Sequence, residues 1–139
     1  MNLVSIRIIT DDVATLADFY ERLTGGIAVR QGDLFAEVTG PNATVAIGST
    51  ATVGVFGPGS ARAADNHSVI VEFLVADVDA EFARLSGWVA DFVAEPTTMP
   101  WGNRSLLLRD PDGNLVNLFS PVTPAAVEKF ARFGATARS

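Results

Sequence analysis

The chain of 139 residues contains no cysteine and one histidine, His67. Without thiols there are no disulfides and no thiolate metal sites, and a reducing compartment is compatible with the composition. Positive charge is the scarcer sign: 10 Lys and Arg against 16 Asp and Glu leave a net charge of -6. The basic residues form no cluster that would neutralise a phosphate backbone or hold an anionic membrane surface, so neither nucleic acid nor membrane is an expected partner. Long apolar runs are also missing. None approaches the roughly 20 residues needed to span a bilayer, and the stretch Met1 to Arg7 lacks the basic and apolar regions of a signal peptide, so the reading is a soluble cytoplasmic protein. No strained nucleophile elbow is present, and Gly54, Gly57 and Gly59 do not sit between a strand and a helix as a phosphate loop requires.

What the chain does have is 48% hydrophobic residues, enough for one well-buried core at this length. Leu3 to Ile9 is a β-branched, apolar run ending in Thr10-Asp11-Asp12, a strand handing over to a helix N-terminus. Val13, Leu16, Phe19, Tyr20 and Leu23 then recur at helical spacing, and Gly25-Gly26 offer a left-handed stop. Ile27 to Arg30, Leu34 to Val38 and Thr44 to Ile47 read as three short strands separated by turn residues. After an irregular connection from Thr52 to Asn66, with a short extended piece at Val53 to Phe56, the pattern restarts. Ser68 to Val75 is a strand, Asp77 a helix cap, and Val78, Phe82 and Leu85 a helical stripe stopping near Gly87. Ile8-Ile9-Thr10-Asp11-Asp12-Val13 is echoed by Phe73-Leu74-Val75-Ala76-Asp77-Val78. Phe92 to Glu95, Arg104 to Leu108 and Leu115 to Phe119 complete the second set of strands, and Asp110-Pro111-Asp112-Gly113 makes the last hairpin turn.

Two βαβββ units in tandem, with Asp18-Phe19-Tyr20, with Val75 to Ala80, and with Pro100-Trp101-Gly102-Asn103-Arg104 leading to Asp110-Pro111-Asp112-Gly113-Asn114, resemble the vicinal oxygen chelate superfamily of glyoxalase I, extradiol dioxygenases and bleomycin-resistance proteins. The resemblance implies an α+β fold in which two βαβββ repeats form a curved mixed sheet around a cavity. Residues 1–121 are expected as a single domain with halves at about 1–50 and 67–121 and a crossover at 51–66, followed by a C-terminal helix and tail at 122–139. Members with metal chemistry place a His, Gln or Glu ligand on each of four cavity strands. Matched onto this chain, those positions fall at Ser5, near Ala46 to Gly48, at Val71 and at Asn117, so no metal and no cofactor is expected.

The remaining candidates are weighed on strand alternation. Ser5 and Arg7 share one face of the first strand; Val71 and Phe73 are assigned to the cavity on the fifth, and Asn117 and Phe119 on the eighth. Glu72 is thereby assigned outward. Arg7 stands out, since a guanidinium in a cavity needs an acidic partner, Glu37 or Glu72, or an anionic ligand. Trp101 is either a core or dimer-interface residue or a stacking face for a planar ligand. Arg104 is either an anion contact beside it, a solvated residue, or a partner for Asp110 or Asp112. His67, at the start of a strand, reads as exposed or loop-capping rather than as a ligand. The leading functional expectation is a metal-independent, homodimeric protein that binds a small organic molecule and sequesters it. The alternative is a lyase, isomerase or dioxygenase-like enzyme with a metal-free or non-standard site.

Overall fold

In a computed structural model that describes residues 1–133, eight strands and four α-helices follow one another in two βαβββ rounds. The described residues divide into two compact units, the first comprising Met1–His67 with Pro111–Gly113, the second Ser68–Asp110 with residues 114–133. Each builds its own four-stranded mixed sheet. Among the described residues no helix is long and apolar enough to cross a membrane.

In the first unit, β1 (Ser5–Thr10) lies parallel to β4 (Thr44–Ser49). β4 lies antiparallel to β3 (Phe35–Thr39), and β3 to β2 (Ala28–Gln31). Helix α1 (Val13–Thr24) covers one face through buried Val13, Leu16, Ala17, Tyr20 and Leu23. Against them stand Ala36, Val38, Val45 and Ile47, the alternate residues of β3 and β4. The expected stripe is corrected at one place: Ala17 completes it, while Phe19 is half-buried and meets the Tyr20 ring edge-on at 5.2 Å. Gly25 ends the helix in the left-handed conformation at φ 74°, its N–H donating to the Glu21 carbonyl. The connection contains one 3-10 turn and a short helix α2 (Val53–Phe56) where an extended piece was expected.

In the second unit the strand order is β5 (Ile70–Leu74), β8 (Leu115–Pro121), β7 (Asn103–Arg109) and β6 (Phe92–Thr98), again with the first and last strands parallel. Helix α3 (Val78–Leu85) packs on one face, with Phe82 edge-on to Phe92 at 5.1 Å. It ends at Ser86 in ordinary helical conformation, so the expected glycine stop at Gly87 is not used. The β7–β8 turn is closed by Asp110 and Asn114, both buried, through the Asn114 backbone and side-chain N–H groups at 2.9 and 2.8 Å. Helix α4 (Pro124–Phe130), capped by Thr123, lies against β8.

Both main helices begin on an aspartate. The Thr15 hydroxyl and N–H donate to Asp12 at 2.7 and 3.1 Å and hold its carboxyl below the ordinary 3.8. Arg104 does the same for Asp79. Both folded-state values are lowered, so their stabilisation is complete above the ordinary carboxylate value and is lost as pH falls through the lower folded value. Asp12→Asn with Asp79→Asn should therefore flatten the fall of stability with acid. Urea unfolding repeated across the acid range checks this, and an unaltered slope would refute it.

Candidate functional site

Because one face of each sheet is taken by its helix, the opposite face is where ligand-facing side chains can stand. In the first unit that face carries Ser5, Arg7 and Ile9 from β1, Thr44, Ala46 and Gly48 from β4, and Phe35 and Glu37 from β3, as the pairing register requires. Ser5 is exposed beside the Thr44–Thr39 hydroxyl pair. The Arg7 guanidinium lies between two rings, 4.9 Å from the centroid of Phe35 and 5.2 Å from that of Phe56. Among the described residues it forms no ion pair, so of the two readings the bridge to Glu37 or Glu72 is not formed, and the guanidinium makes two cation–π contacts instead. Ring faces attract the cation but accept none of its N–H groups strongly.

The open face of the second unit carries Glu72 and Leu74 from β5, Asn117 and Phe119 from β8, and Asn103, Ser105 and Leu107 from β7. Asn117 Nδ2 donates to Glu72 Oε2 at 2.8 Å. Val71 and Phe73 are corrected: they pair with Val116 and Leu118 on the face that α3 covers. The assignment failed by one residue of phase, and Glu72 takes the open side. The repeat itself carried the right signal, since an echo of Ile8 by Phe73 makes Ile70 the repeat equivalent of Ser5 and Glu72 that of Arg7. Arg104 is also corrected. It lies on the helix face, where Nε and Nη2 donate to Asp79 at 2.7 and 2.8 Å, so its partner is neither Asp110 nor Asp112.

Three buried polar atoms on this open face have no hydrogen-bond partner: Asn117 Oδ1, Ser105 Oγ and Asn103 Oδ1. An unpaired buried polar atom costs about 1 to 3 kcal/mol, so the polar groups of this face are not all satisfied from within the sheet. Phe119 is buried and meets Phe130 of α4 edge-on at 5.0 Å. Trp101, in the loop before β7, is 68% exposed, so the core reading is corrected. It lines a cavity of about 280 Å³ with Asn103 and with Ala125, Ala126, Lys129 and Phe130 of the C-terminal segment. Arg7 and Trp101, expected to act together, belong to different units.

A divalent ion needs three or more converging oxygen or nitrogen donors. The open face of the first unit offers Ser5 and Arg7 from β1, Ala46 and Gly48 from β4 and Glu37 from β3, and that of the second offers Glu72 from β5 and Asn117 from β8, so each set carries a single carboxylate. No three His, Cys, Asp or Glu side chains gather among the described residues. These side chains do not fit a metal centre.

The family model for the Glyoxalase/Bleomycin resistance protein/Dioxygenase superfamily matches residues 2–118. The chain belongs to this superfamily. Its fold is shared by a glyoxalase/bleomycin resistance protein/dioxygenase from Nocardioides, at 19% identity and TM-score 0.74 over 89% of this chain and 85% of that one. A glyoxalase/bleomycin resistance protein/dioxygenase family enzyme from Burkholderia phytofirmans aligns over 88% of this chain and 100% of its own at TM-score 0.77 and 15% identity. TioX from Micromonospora covers the same shares at 23% identity and TM-score 0.67. No curated protein matches. At these identities the structures establish the superfamily fold, and function has to be argued from this chain's own residues.

Proposed function

We propose that this superfamily member is a metal-independent binding protein that holds a small organic molecule carrying an anionic or strongly polar carbonyl group. The observation that carries the reading is Arg7, a cation without a carboxylate partner among the described residues, set between Phe35 and Phe56 on the open face of β1. Two rings suit the flat part of a ligand, and a guanidinium takes a carboxylate through two parallel N–H bonds. Sequestration, rather than turnover, accords with open faces that hold one carboxylate each among these strands, Glu37 in the first unit and Glu72, engaged by Asn117, in the second.

The protein is further proposed to be a homodimer, because β1, β2, β5 and β6 are sheet edges and an exposed edge invites pairing. Protein purified without chelator and then dialysed against a strong chelator is the material for the test. Thermal-shift screening of anionic aromatic compounds should give hits that are unchanged by the dialysis, and light scattering should report twice the chain mass. Binding that vanishes with the metal and returns with about one equivalent of a divalent ion would overturn the reading.

A further inference from the structure

The cavity beside Trp101 makes no use of Arg7 or of the Glu72–Asn117 pair. Its walls come from two segments that are clamped together. The Gly102 carbonyl accepts the N–H groups of Val122 and Thr123 at 2.9 and 3.2 Å, and Thr123 in turn caps α4. Gly102 itself sits at φ 96°, in the left-handed region that glycine tolerates. The loop bearing Trp101 and the helix bearing Lys129 and Phe130 are therefore positioned before any ligand arrives, which lowers the ordering cost of binding.

Three features of different chemistry face this space. Trp101 presents an indole that is 68% exposed, an unusual state for a side chain that gains so much from burial. Lys129 places its ammonium 5.2 Å from the Phe130 centroid and forms no ion pair among the described residues. Asn103 Oδ1 is buried with no donor. The volume, about 280 Å³, suits a molecule of one or two rings.

We infer that this cavity is a second ligand site, built from other residues than the Arg7 face, for a small aromatic carboxylate that also carries a hydroxyl or amine donor. The ring stacks on Trp101, the carboxylate meets Lys129, and the donor meets the Asn103 amide, which turns its buried Oδ1 toward the space on binding. Alternatives lack one of the three matches: a neutral hydrocarbon leaves Asn103 unpaired, and a cation is repelled by Lys129.

The test is titration calorimetry with 6-hydroxy-2-naphthoate as probe, beside 2-naphthoate, which lacks the donor, and 2,6-dihydroxynaphthalene, which lacks the charge. Saturable binding of the first, tighter than either control, is expected. Trp101→Ala should weaken it about tenfold. Lys129→Gln should weaken it about fivefold at low salt, less as salt rises, and leave the uncharged control unchanged. Both side chains are exposed, so both variants should keep the parental circular dichroism. Failure of the hydroxynaphthoate to bind below about 1 mM would overturn the inference. So would equal affinity for all three probes, or a Trp101→Ala variant that binds as the parent does but loses the dimer, which would assign the indole to an interface. The Arg7 site is built from other residues, Phe35 and Phe56 among them, and is tested by its own variant.

Discussion

Arg7→Met is expected to weaken an anionic ligand of the first unit by roughly 10- to 100-fold while leaving neutral ligands nearly unaffected. The figure follows from losing a charge-assisted hydrogen-bonded contact of about 1.5 to 3 kcal/mol. Methionine keeps an unbranched apolar stem against Phe35 and Phe56, so the sandwich loses its charge and donors but not its bulk. Arg7 is exposed and holds no ion pair, so the fold should not suffer. Arg7→Lys restores the charge without the planar fork, and an intermediate affinity would separate bidentate recognition from simple attraction. Calorimetry with a carboxylate ligand and its methyl ester reads all of this. Equal losses for the acid and the ester would show that Arg7 shapes the face and contacts no anion.

Gly102→Ala should destabilise the second unit by about 2 to 4 kcal/mol, combining a left-handed backbone imposed on alanine with overpacking. A Cβ at this position would overlap the Thr123 hydroxyl and lie 3.1 Å from its Cγ2. The two contributions can be separated, because Thr123→Gly removes the obstacle and, as a glycine cap, costs only a few tenths of a kcal/mol. The double variant should recover the overpacking share, about 1 to 3 kcal/mol, and keep the backbone share. Strict additivity in that cycle would show that the loop moves aside freely and that Gly102 does not clamp it to α4.

Much of the architecture was legible because local chemistry and global pattern agree. Asp12 and Asp77 announce their helices by side chain, Gly25 by backbone freedom, and the restart near Ser68 shows the second unit. The face of β5 was not legible from one strand alone. A one-residue error in phase exchanges every side chain between faces, and the register of a parallel pair such as β5 with β8 is set by partners more than 40 positions away, as in Glu72 with Asn117. The surroundings of Arg7 were hidden for another reason. Phe56 belongs to a four-residue helix too short to show a period, so nothing in the linker marked it as a partner. Likewise, Asp79 claims Arg104 across 25 positions, whereas the nearer Asp110 and Asp112 looked more convenient on paper.

The place of the last strand in each sheet has a consequence for how the chain is made. β4 lies between β1 and β3, and β8 between β5 and β7, so the strand that leaves the ribosome last is an interior one both times. Until Thr44–Ser49 emerges, β1 has no neighbour and α1 has only a hairpin to rest on. Until Leu115–Pro121 emerges, the same holds for β5 and α3. Synthesis should therefore show two abrupt gains of protease resistance, one after each closing strand has cleared the exit tunnel, with little gradual protection in between. A nascent chain stalled inside β7 would carry the finished sheet of the first unit, lacking only Pro111–Gly113, and an unpaired β5, its apolar Ile70, Val71, Phe73 and Leu74 still waiting for the strand that separates it from its own sheet.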